Sequence, residues 1–228
     1  MIDNIIKLSR FCRITACLLL LPLAANPAAL SPAAARERLL TYIDQTSSYA
    51  ASFTQQLTSA NGQTEAAGGG QFWLARPAQF KWLYDRPFAR EIVADGERIW
   101  LYDADLDQVT VRDLAPILAN TPAGLLAGDT RNLDDYKIAG TGAVDGETNS
   151  GNMDATIVLT PSEAGSDFER ITMRLADGAL QSLLLDDRFG QQTLIEFTDA
   201  RINVPIDDGV FGFVVPANAD VIDETGGT

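Results

Sequence analysis

The stretch Gly70-Gln-Phe-Trp-Leu-Ala-Arg76-Pro77-Ala-Gln-Phe80-Lys-Trp82-Leu-Tyr84 decides how this chain folds. Gln71 to Ala75 is aromatic and β-prone. After the Arg76-Pro77 break, Phe80, Trp82 and Tyr84 recur at a period of two, which sets them on one face of a strand. Pro77 has no backbone donor and is expected at a strand edge. The alternation continues in both directions. Upstream, Tyr49, Ala51 and Phe53 alternate with polar neighbours, and Asn61-Gly62 supplies a hairpin turn. Downstream, Asp95-Gly96 reverses the chain, Ile99 to Tyr102 runs back, and Val109 to Arg112 follows an acidic turn.

Beyond Arg112 the pattern stops and later returns. Leu114, Ile117 and Leu118 have helical spacing, and Thr121-Pro122 opens a short helix carrying Leu125 and Leu126. A longer helix is predicted upstream, where Ser31-Pro32 offers a capping hydroxyl and a proline for the first turn. Leu39, Leu40 and Ile43 mark its apolar face, and it should end near Thr46 to Ser48. Strands resume at Tyr136 to Ala139, Ala155 to Thr160, Phe168 to Leu175, Leu180 to Leu185, Thr193 to Ile202 and Gly209 to Val215. Asp177-Gly178 marks a tight hairpin, and Gly140 to Asn152 is a long polar loop. About ten or eleven short strands describe a mainly β chain whose single antiparallel sheet must curl, because open twisted sheets rarely exceed about ten strands.

Composition narrows the chemistry. A length of 228 residues suffices for one such domain. There is no histidine, which removes triads, imidazole acid–base catalysis and His-ligated metals. The only cysteines, Cys12 and Cys17, fall in the leader. Met1 to Arg13 is mixed and basic, Ile14 to Ala25 is uncharged, and small residues and prolines follow. That is the three-part pattern of a secretory signal peptide, too short for the roughly 18 apolar residues of a membrane span. Cleavage is expected after Ala25, with Ala35 as the alternative, leaving 26–228 as one domain exported to a bacterial periplasm. Ile14-Thr15-Ala16-Cys17 imitates a lipidation box. Its apolar stretch follows the cysteine instead of preceding it, so Cys17 reads as part of the hydrophobic region. The formal charge is −14, and the leader is net basic, so the exported part is more acidic still. Such a surface repels phosphate backbones and anionic headgroups, which argues against nucleic-acid binding.

No motif for catalysis survives inspection. Asp103, Asp105 and Asp107 open like a calcium loop, but Gln108 and Leu114 stand where glycine and glutamate are needed, so a solvated turn is expected. Gly68-Gly69-Gly70 has no following Lys-Ser/Thr and reads as a bulge or loose strand start. Nothing singles out a carboxylate pair, and hydroxyl nucleophiles lack a histidine base. No cofactor, metal or enzymatic activity is expected. What stands out is apolar surface. Phe72, Trp73, Phe80, Trp82, Tyr84, Trp100 and Tyr102 crowd into a short span of sheet, and Leu183-Leu184-Leu185 and Phe211 to Val215 are apolar on both faces. Each alone suits a core; together, on a curled sheet with a helical segment able to cover it, they suit a pocket for a hydrophobic ligand.

These residues resemble the LolA family of periplasmic outer-membrane lipoprotein carriers. The likeness is carried by Gly70 to Trp82 of the opening stretch, by Ile92-Val93-Ala-Asp95-Gly96-Glu-Arg-Ile-Trp100-Leu-Tyr102-Asp103, by Gln108-Val-Thr110 and by Thr121-Pro122. It runs from the Tyr49 to Gln55 strand to Phe211-Gly-Phe-Val-Val-Pro216. The long loop from Gly140 is the main departure. The resemblance implies an incomplete β-barrel of about 11 strands under a lid of three short helices, formed here by 32–46 and 114–128. It implies that acyl chains lie in a cavity lined by Phe72, Phe80, Trp82, Tyr84, Ile92, Trp100, Leu118, Leu125 and Leu126. Arg76 matches the family's functional arginine, a lid latch, and Phe80 its mouth-facing aromatic. Implied partners are acylated lipoproteins, an inner-membrane lipoprotein-releasing ABC transporter as donor and a LolB-like outer-membrane acceptor, with the carrier a monomer. Two other readings fit the fold: a lipid- or peptide-binding sensor or scaffold module, and an anchored LolB-like acceptor.

Overall fold

The computed structural model describes residues 28–118, 121–131, 133–142, 154–162 and 166–226. The leader and most of the loop after Gly140 lie outside the described residues. Thirteen strands form one sheet. The first seven are β1 (Ala28–Leu30), β2 (Ser48–Thr58), β3 (Thr64–Ala75), β4 (Gln79–Arg86), β5 (Arg90–Asp95), β6 (Arg98–Asp103) and β7 (Gln108–Asp113). The other six are β8 (Tyr136–Gly142), β9 (Ala155–Pro161), β10 (Phe168–Ala176), β11 (Ala179–Asp187), β12 (Gln192–Ile202) and β13 (Asp220–Asp223). Their spatial order is β1-β8-β9-β10-β11-β12-β2-β3-β4-β5-β6-β7-β13, antiparallel except for the parallel β13–β7 pair. The sheet curls but stays open, ending on two very short strands, which suits an edge that must not pair with another chain.

Three expectations need correction. Gly209 to Val215 is not a strand: Asp208–Phe211 is a 3-10 helix, its Asp207 side chain accepting from the Gly209 N–H, and the chain beyond crosses the outer face of the sheet unladdered. β8 reaches Gly142, three residues into what reads as the polar loop. Pro77 sits in the turn between β3 and β4 and not on an outer edge. The triple glycine is a bulge, with the β3–β4 register slipping between Gly69 and Gly70, and 104–107 is the turn joining β6 to β7.

Strand alternation sorts the side chains onto two faces. Ala51, Phe72, Trp82, Ile92 and Leu101 form one cross-strand row, and Tyr49, Leu74, Phe80, Ala94 and Ile99 another, all inward. Val93, Trp100 and Val111 form an outward row. It too is covered: Phe211 packs on β4 and β5, and Phe213 stacks on Trp100 at 5.5 Å. That C-terminal strap is tied to the start of β2 through Asn203, which accepts from the Ser47 N–H and donates to Gln45 O, both at 2.8 Å.

Three helices lie against the inner face: α1 (Pro32–Gln45), α2 (Leu114–Leu118) and α3 (Pro122–Leu126). Ser31 caps α1 by accepting from the Ala34 N–H, and Pro32 occupies the first turn. The helix buries Ala35, Leu39 and Tyr42 over β8 and β9. The approach is close because Gly140 has no side chain; a Cβ there would stand 3.1 Å from that of Ala35 and 3.0 Å from Thr156 O. Thr121 joins the two short helices, donating from Oγ1 to Ile117 O and accepting from the Gly124 N–H.

Candidate functional site

The inner face is aromatic at its centre. Phe53 meets Trp82 and Tyr84 edge-on at 4.8 and 5.0 Å, Phe72 lies 4.2 Å from Trp82, and Phe197 touches Tyr49, Phe72 and Trp82. Tyr49 is inside as well, its hydroxyl donating to Leu180 O at 2.6 Å; burial pushes this phenol far above its ordinary pKa, so it stays a neutral donor. β8 to β12 complete the wall with Ile138, Ile157, Leu159, Ile171, Met173, Leu183 and Ile195.

Leu39 and Tyr42 of α1, Leu114 and Leu118 of α2, and Leu125 and Leu126 of α3 belong to the same continuous apolar cluster. The cover and the sheet are one core. Between Leu118, Leu125, Leu133, Tyr136 and Ile171 about 20 Å3 is left, room for a water and not for a chain of methylenes. In this conformation the helices themselves occupy the concave face.

One side chain joins the ends of two cover helices. Arg76, at the β3–β4 turn, donates from Nη1 to Ile43 O at 3.0 Å and to Thr46 O, and from Nη2 to Leu126 O at 3.0 Å. Helix C-termini leave carbonyls without intrahelical partners, so a planar fork of donors can clamp the ends of α1 and α3 together. The guanidinium also sits 5.7 Å from the Tyr42 ring centroid. Among the described residues its buried Nε has no hydrogen-bond partner. Burial lowers the Arg76 pKa, opposed by Tyr42; burial raises that of Tyr42, opposed by the cation. Among the described residues this half-buried cation is held by neutral carbonyls and the Tyr42 ring, with no carboxylate to compensate its desolvation. Beside it, Gly128 takes φ +92° and passes so close that a Cβ would stand 3.0 Å from Arg76 Cδ.

Most of the residues named from sequence converge here. Phe72, Phe80, Trp82, Tyr84 and Ile92 lie on the inner face, and Leu118, Leu125 and Leu126 on the cover. Two differ. Trp100 points outward, stacked on Phe213 with Nε1 donating to Asp95 at 3.3 Å, so it lines no inner cavity. Phe80 faces no open mouth; it is 4% exposed beneath the closed cover. Sequence reading missed Tyr42, Phe53 and Phe197. The period-two runs held the signal for the last two, since Phe53 extends Tyr49-Ala51 and Phe197 falls inside Thr193 to Ile202.

Residues 44–214 match the family model described as "Outer membrane lipoprotein carrier protein LolA". The chain belongs to the LolA family. Among its relatives, the outer-membrane lipoprotein carrier protein of Alkalilimnicola ehrlichii is 40% identical over 210 residues, covering 92% of this chain and 93% of that one. The protein of the same name from Chromohalobacter salexigens is 36% identical over 191 residues, covering 83% and 87%. Of solved structures, an uncharacterized conserved protein from Thermus thermophilus superposes with a TM-score of 0.52 at 8% identity, over 83% of this chain and 99% of that one, a likeness of fold alone. The LolA match begins within α1 and ends inside the strap, so it takes in Arg76, the inner aromatic face and both short helices. Among the described residues, no group of three or more acidic side chains is arranged to hold a metal ion, and no helix is long and apolar enough to cross a membrane.

Proposed function

We propose that this chain is a periplasmic carrier that shelters the acyl chains of lipoproteins between the inner and outer membranes. The observation that carries the reading is the shared core: helices on one side, a concave aromatic sheet on the other, with one arginine joining the ends of α1 and α3. A palmitoyl chain exposed to water costs on the order of 12 kcal/mol at ~0.8 kcal/mol per methylene, so an acylated protein cannot cross an aqueous gap bare. Closing the cover buries six large apolar side chains, about 1.5–3 kcal/mol each, or roughly 9–18 kcal/mol in all. The two quantities are similar. Cover and cargo therefore compete for one surface: the cover matches a single chain and is outweighed by a diacylated cargo, so loading is favoured and release needs the latch and an acceptor.

Arg76 is the latch that tips this balance. Charged hydrogen bonds contribute roughly 1.5–3 kcal/mol each, enough for a set of three to reclose the empty carrier. No nucleotide-binding loop occurs in the sequence, so work for loading comes from a partner, in this reading an inner-membrane ABC transporter, with a LolB-like protein as acceptor. The role is carriage and not catalysis. The leader fits export, and the position of β1 favours cleavage near Ala25. A cut after Ala35 would remove β1, the Ser31 cap and the first turn of α1.

Reconstituted transfer tests the reading. Purified protein incubated with donor membranes should release a lipoprotein into solution and pass it to acceptor membranes. Lipoprotein that stays with the donor would refute carriage, and a diacylated Cys17 at the mature N-terminus would mark an anchored acceptor instead.

A further inference from the structure

We propose that Gln55 and Tyr84 grip the ester-linked head of the acylated cargo at the end of the sheet opposite Arg76. This rests on the carrier reading above. At that end the inner face opens into a cleft of about 220 Å3 lined by Gln55, Ala66, Gly68, Tyr84, Phe88 and Arg90. The cleft exists because Ala66 and Gly68 leave the inner side of β3 almost bare before Phe72 fills it. A Cβ on Gly68 would crowd Arg86 O, at 3.1 Å.

The Tyr84 ring joins this cleft to the interior through its contacts with Phe53 and Trp82. Its hydroxyl donates to Gln55 Oε1 at 2.8 Å. That bond fills an acceptor site on the amide and fixes its orientation. Gln55 Nε2 is left as a donor without a partner among the described residues. Burial raises the Tyr84 pKa, so the phenol remains a donor at neutral pH. An amide group held to donate suits a ligand group that only accepts, and the carbonyls of a glyceryl diester are such a group.

Length agrees. Eight residues of β3 separate Gly68 from Arg76, about 26 Å of strand. An acyl chain fills half of a bilayer core of about 30 Å, or roughly 15 Å. Chains whose esters sit in the cleft would lie wholly on the inner face, with the protein part leaving past Phe88, which is 64% exposed at the lip. A phospholipid carries the same diester with a phosphate attached. Each guanidinium here faces a carboxylate, Arg86 that of Asp85 and Arg90 that of Asp103, which offsets its charge and favours the uncharged cysteine-linked diacylglyceryl group of a lipoprotein over a phosphodiester.

The test compares a dipalmitoylglyceryl-cysteinyl tetrapeptide with its dihexadecyl ether analogue, which keeps the chains and lacks the carbonyls. Wild-type protein should prefer the ester about fivefold, the worth of one ordinary hydrogen bond. Gln55→Leu should erase that preference while binding the ether as before, the ether serving as a control for folding. Tyr84→Phe should reduce the preference, and the double variant should match Gln55→Leu. Equal binding of ester and ether by the wild type, or a preference that survives Gln55→Leu, would overturn the proposal. Tighter binding of dipalmitoyl phosphatidylethanolamine than of the lipopeptide would overturn the choice of ligand. Failure of the wild type to bind either lipopeptide would overturn the carrier reading, and this proposal with it.

Discussion

Arg76 and Trp100 show what single residues in this fold decide. Arg76→Leu removes the bonds to Ile43, Thr46 and Leu126 together. The variant should still load, yet pass cargo to acceptor membranes at least tenfold more slowly, because the closed state that competes with cargo is weakened. Wild-type transfer kinetics would contradict the latch. Trp100 makes the opposite case. Its stack on Phe213 is outside the core, so Trp100→Leu should lower the unfolding free energy by about 1–2 kcal/mol in urea titration and leave lipopeptide affinity unchanged. Sequence alternation could place Trp100 and Leu101 on opposite faces. It could not say which was inside, since both faces of β6 are covered and hence apolar. Arg76 was legible only through its resemblance to a family motif. An isolated arginine before a proline carries no local sign of the helix ends it will meet, which lie 30 and 50 residues away in sequence.

At the scale of elements, the helices and central strands could be read from caps and periodicity. Ser31-Pro32 and Thr121-Pro122 announced α1 and α3, and the latter cap supports a measurable claim. Thr121→Ala breaks the joint between α2 and α3 and should cost about 1–2 kcal/mol, with faster hydrogen exchange confined to 114–126. The shortest elements escaped reading. β1 and β13 have three and four residues, too few to show a period, and β13 pairs in parallel after a long excursion. Gly209 to Val215 was misread because an apolar run crossing the outside of a sheet has the composition of a strand inside one.

The β5–β6 turn offers a pH handle. Burial pushes the Asp95 pKa up, but N–H bonds from Arg98 at 2.7 Å and Glu97 at 2.9 Å, with help from Trp100, outweigh it and hold the carboxyl below the usual range. A depressed folded-state pKa gives stability that is full above the unfolded value, about 3.9, and is lost as pH falls through the folded one. Asp95→Ala should therefore destabilise the protein by about 1 kcal/mol at pH 7 and progressively less on acidification below pH 4. A constant difference down to pH 2, by chemical denaturation, would count against this.

On the scale of the whole molecule, an acidic, open, one-sheet protein keeps its most apolar surface hidden by part of itself. A single class of surface serves stability and function, so substitutions that fill the core also change carriage. Gly140→Val illustrates this: its branched side chain meets Ala35 and Thr156 O, lifting α1 and raising access to the inner face while costing about 1–3 kcal/mol of stability. A fluorescent acyl probe should bind this variant faster than the wild type. The central claim is that cargo displaces the cover from one shared face. Amide hydrogen exchange with and without bound dipalmitoyl lipopeptide tests it most directly. Loading should speed exchange in 114–126 and at the C-terminal turn of α1 while β3 and β4 stay protected; unchanged or stronger protection of the cover in the loaded protein would contradict it.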